Sequence, residues 1–137
     1  MPLHGALRYN PVTFAPSLDP EGRAVLGTLL GPLGDFFEVA EADLEAYAVI
    51  TAMGPTNLWP QLDELETMAE SFGLSPEEAR AGLNAMVAGA LQTMTDAGLG
   101  ADEVMDLVPV KPIGGGEERI REIYQENLRG LYRKLTE

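Results

Sequence analysis

The stretch Ser75-Pro76-Glu77-Glu78, with the apolar-periodic run behind it as far as Gly98, constrains this chain more tightly than any other part of it. A serine hydroxyl accepts from the free N–H groups of a first helical turn, proline is pre-set for the first helical position, and a glutamate three residues after the serine reaches back to close a capping box. Glycine suits the left-handed residue that stops a helix. These signals predict a helix over 75–97. Its faces differ in size: Leu83, Met86, Val87, Ala90, Leu91 and Met94 form the larger set, whereas Gly82, Ala85, Gly89 and Thr93 recur every three to four residues. Such a strip of small residues lets another backbone approach, either in the chain's own core or from a second subunit.

Helical periodicity runs through most of the remainder. Leu44, Tyr47, Ala48, Ile50 and Thr51 lead to Met53-Gly54-Pro55, after which Leu58, Leu62, Leu65, Ala69 and Phe72 mark another helix with Gly73 as its stop. Pro60 falls inside that helix or near its start; inside, it removes a backbone donor and favours a kink. A short helix is predicted over Asp102–Leu107. A last helix over Glu117–Leu135 carries its apolar stripe on Ile120, Ile123, Tyr124, Leu128, Leu131 and Leu135. Glu117 and Glu118 at its start, and Arg133 and Lys134 at its end, complement the helix dipole.

Before residue 40 the pattern differs. Val12 and Phe14, set among prolines, read as a short edge strand. Asp19 and Pro20 open a helix with Val25, Leu26, Leu29, Leu30 and Leu33 on one face, interrupted at Gly31-Pro32, and Asp35–Val39 reads as a second strand. Strand, helix and strand form a βαβ piece too small to make an independent sheet. The expected fold class is therefore mainly α, with the strand-helix-strand piece in residues 1–40 and an all-helical domain in 41–137.

Composition narrows the function classes. A chain of 137 residues, 45% of them hydrophobic, has enough apolar surface for a compact domain. Its net charge of −13 repels phosphate backbones, and six of its nine basic residues lie from Lys111 onward, mostly spread along one helix, so no nucleic-acid partner is expected. With no cysteine there are no disulfides and no thiolate metal site. Residues 1–18 lack a signal-peptide pattern, and no apolar run reaches the roughly 18 residues that span a bilayer. No membrane partner and a cytoplasmic location are the expectations.

Few residues carry recognisable chemistry. His4, the single histidine, lies in a terminal stretch, so neither a histidine-based metal site nor a Ser-His-acid triad is assigned, and no catalytic residue is named. The carboxylates of Glu38, Glu41, Asp43 and Glu45, and of Asp63, Glu64, Glu66 and Glu70, read as solvated helix faces rather than acid/base pairs. Gly98-Leu99-Gly100 lacks a third glycine and joins two helices, unlike a dinucleotide fingerprint. Trp59 and Tyr47 read as core or interface anchors. The segment VKPIGGGEERI, Val110 to Ile120, stands apart: a glycine run before a helix start exposes backbone N–H groups to an anion such as a carboxylate, although Glu117 and Glu118 place negative charge in the same turn. From the residues alone an anion-binding loop and a flexible joint both stay open.

The order of these segments resembles the C-terminal part of pyrroline-5-carboxylate reductase, over nearly the whole chain. MPLHGALRYNPVTFAP, LDPEGRAVLGTLLGPLG and DFFEV are similar to the last strand, helix and strand of that family's nucleotide-binding domain. TAMGPT, Thr51 to Thr56, is similar to the Ser-Gly-Ser-Gly-Pro-Ala segment that opens the dimerisation domain, keeping Gly54-Pro55 and replacing the serines with Thr51 and Met53. FGLSPEEARAGLNAMVAGALQTM is similar to the following helix pair, and VPVKPIGGGEERI falls where the family has Pro-Gly-Gly-Thr-Thr. The two signature threonines, which in the family help bind the substrate's ring nitrogen and carboxylate, fall on Gly115 and Gly116.

The resemblance implies a helical dimerisation-domain bundle with a strand-helix-strand remnant of a Rossmann-like domain. It implies a homodimer, NADP as cofactor of the intact enzyme, and a small carboxylic-acid substrate held near Thr51, Gly54, Pro55, Lys111, Gly114, Gly115 and Gly116. The family's glycine-rich cofactor unit has no counterpart here, so the expectation is a shortened piece of a longer oxidoreductase that neither binds NADP nor catalyses by itself. The alternatives are a stand-alone, non-catalytic helical dimer module acting as scaffold or small-acid binder, and a ketopantoate-reductase-like enzyme with another substrate.

Overall fold

The computed structural model describes residues 9–137; His4 and the first part of the expected opening segment lie outside the described residues. Two strands, β1 (Tyr9–Val12) and β2 (Asp35–Glu38), flank helix α1 (Pro20–Leu30) and pair in parallel with Tyr9 opposite Asp35 and Val12 opposite Glu38. Beyond them come the short α2 (Leu44–Tyr47), a π-helical turn (Ala48–Ala52), and α3 (Gly54–Ser71), α4 (Pro76–Asp96), α5 (Ala101–Met105) and α6 (Glu117–Thr136). The architecture is mainly α with a two-stranded parallel sheet near its N-terminus, as the sequence predicts.

Two compact units divide the chain: one holds residues up to Asn57 together with Glu122–Glu137, the other Leu58–Arg121. In the first, Asp19 caps α1 by accepting from the Gly22 N–H at 2.7 Å, with Pro20 in the first turn. The helix packs closely on the sheet at Gly27, where a Cβ would stand 3.0 Å from Cζ of Phe36. Arg23 joins helix to strand by an ion pair of 2.6 Å with Glu38, and its guanidinium lies 4.9 Å from the Phe14 ring centre. The first strand ends at Val12, so Phe14 lies beyond the ladder it was expected to join. Tyr9, Phe37 and Tyr47 form an aromatic cluster, with Tyr9 and Phe37 centred 4.2 Å apart and Phe37 and Tyr47 5.5 Å apart. Tyr124 of α6 donates to the Asn57 carbonyl at 3.3 Å, and Val49 is buried at 3% exposure.

The second unit is built on the predicted capped helix. The Ser75 hydroxyl accepts from the Glu78 N–H at 3.3 Å while the Glu78 carboxylate accepts from the Ser75 N–H at 2.8 Å, and Ala79 behind them is 2% exposed. Gly73 and Gly98, with φ of 100° and 67°, occupy the left-handed region after α3 and α4 that a side chain would strain. Pro60 does lie inside α3, so the Thr56 carbonyl has no N–H four residues on to accept from. Arg80 pairs with Glu66 at 2.7 Å, linking α4 to α3. Trp59, expected as a core or interface anchor, is 52% exposed beside a groove between these two helices.

Candidate functional site

The expected site residues fall into two groups, one in each compact unit, and each group has its own local geometry. Thr51 sits in the π turn, which exists because the Met53 N–H reaches the Ala48 carbonyl, five residues back, at 3.0 Å. Its hydroxyl donates to the Tyr47 carbonyl at 2.8 Å, leaving its oxygen lone pairs available. Half-buried, it borders a shallow pocket of about 330 Å3 with Tyr9, Asn10, Leu44, Tyr47 and Ala48. Asn10, which sequence reasoning did not single out, donates to the Asp35 carbonyl at 3.2 Å across the sheet. Gly54 and Pro55 open α3, where the Thr56 hydroxyl and N–H both reach the Met53 carbonyl, at 2.6 and 3.0 Å. Nothing among the described residues comes within 4 Å of a Cβ built at Gly54.

In the second group the glycine run forms a single 3-10 turn, Gly114–Gly116, leading directly into α6. The Gly114 N–H donates to the Lys111 carbonyl at 3.0 Å and the Gly116 N–H to the Ile113 carbonyl at 2.8 Å, so two of the three glycine amides are engaged within the loop. A Cβ at Gly114 would meet Lys111 Cβ at 3.2 Å, whereas Gly115 and Gly116 have nothing within 4 Å. None of the three adopts the left-handed region. Lys111 Nζ is held by Asp106 Oδ1 at 2.7 Å, a partner the sequence did not reveal. That hydrogen bond, aided by the charges of Asp106 and Glu117 and opposed by slight burial, pushes the ammonium pKa above its ordinary 10.5.

The acidic clusters show no convergent geometry. Glu38 and Glu66 are taken up in ion pairs, and no group of three or more acidic or histidine residues among those described is placed to hold a metal ion. No helix among the described residues is long and apolar enough to cross a membrane.

No protein-family profile and no curated protein matches the chain. Among solved structures it is similar to a Plasmodium falciparum pyrroline carboxylate reductase determined with NADP bound, with a TM-score of 0.66 and 14% identity over 90% of this chain and 52% of that one. It is also similar to a Coxiella burnetii pyrroline-5-carboxylate reductase, with a TM-score of 0.54 and 21% identity over 92% of this chain and 47% of the other. The resemblance read from segment order thus holds at the level of fold. The chain spans about half the length of these structures.

Proposed function

We propose that this chain is the dimerisation and substrate-side part of a pyrroline-5-carboxylate-reductase-like, NADP-dependent oxidoreductase, and that it does not catalyse by itself. The observation that carries this reading is the fold shared with such reductases over 90% of the chain at a TM-score of 0.66. Residues 1–40 are then the end of a nucleotide-binding domain and 41–137 the helical dimerisation domain. In the intact enzyme a hydride from NADPH reduces a C=N or C=O bond of a small acid bound between subunits. Thr51, with Gly54 and Pro55 shaping its turn, offers a hydroxyl oxygen; Lys111 offers a cation for the carboxylate. Gly115 and Gly116 have no steric need to be glycine in the chain alone, which supports a role in letting a ligand approach the backbone.

A homodimer is part of the same reading. Val49 and Ala79 are the only buried apolar residues among those described, while Phe72, Leu91 and Leu29 are 76%, 64% and 67% exposed. The small strip of α4 is open as well: nothing stands within 4 Å of a Cβ at Gly82 or Gly89. Apolar surface on this scale supports burial against a second copy.

A second reading, a stand-alone helical dimer that no longer supports the reaction, draws on the Lys111–Asp106 pair and the two engaged glycine amides. NADPH titration followed by nicotinamide fluorescence tests the absence of a cofactor seat, and measurable affinity would contradict it. The coding DNA upstream of Met1 separates the two readings. An open frame running into a strand, a G-x-G-x-x-G turn and a helix supports the reductase; a nearby stop codon and start site support the module.

A further inference from the structure

We draw no further inference here: the strongest candidate, the open trough of about 790 Å3 between Ala46, Val49 and Ile50 and one face of α6, carries none because nothing in the structure shows what covers it.

Discussion

Ser75 and Glu78 show how much two side chains decide. The Glu78 carboxylate accepts from the Ser75 hydroxyl at 2.6 Å and from its N–H at 2.8 Å, and these bonds, the hydroxyl's first, hold its pKa below the ordinary 4.5. A depressed folded value means that the unfolded chain binds the proton more readily. The contribution is therefore complete above the unfolded pKa and lost as pH falls through the folded one, below 4.5. Urea unfolding of Glu78→Gln should accordingly show a shallower stability loss in that acid window than the native chain, with lower stability at neutral pH. Ser75→Ala should cost about 1 kcal/mol through the lost cap. Lys111 has the opposite sign: its contribution is complete below 10.5 and disappears as pH rises through its raised value. In Asp106→Asn, an NMR titration of the Lys111 side chain should move back toward 10.5. The capping box was legible because it is written within four residues. The Lys111 pair was not, because it depends on how the loop after α5 turns.

The elements themselves were mostly visible in periodicity and caps, with some boundaries displaced from the expected residues. Phe14 lies beyond the strand it was expected in, with the Arg23 guanidinium 4.9 Å from its ring centre, and Gly54-Pro55, expected as a break, instead opens α3 behind the π turn. Pro60 inside α3 leaves the Thr56 carbonyl without its helical donor, so Pro60→Ala should stabilise the helix by up to about 3 kcal/mol, seen as slower amide exchange along α3. Gly82 and Gly89 of α4 permit a sharper test. With open space around both, alanine at either position should stabilise the single chain by about 1 kcal/mol through helix propensity. If the small-residue strip meets a second copy, the same substitutions should weaken self-association in sedimentation, and an unchanged sedimentation profile would contradict that use of the strip.

At the scale of the whole molecule, hydrophobic composition alone did not forecast how little of it would be covered. Apolar residues sufficient for a core are present, yet Val49 and Ala79 are the buried apolar residues among those described. A chain whose apolar faces close against a second copy should melt at a temperature that rises with protein concentration, and a concentration-independent transition in calorimetry would contradict that. The same accounting explains why the candidate site was only partly legible. Residue types and their order marked Thr51 and the glycine loop, but which amides are free and which cation is paired depends on turns that close only in three dimensions.

The sequence by itself determined the helices, their caps and stops, and the parallel strand-helix-strand start, because those rest on interactions within a few residues or on the spacing of apolar side chains. Only the folded chain shows that a π turn carries Thr51, that Asp106 holds Lys111, and that one face of α6 lines an open trough. Each of these depends on a closure between backbone segments, whose geometry no local pattern of side chains specifies.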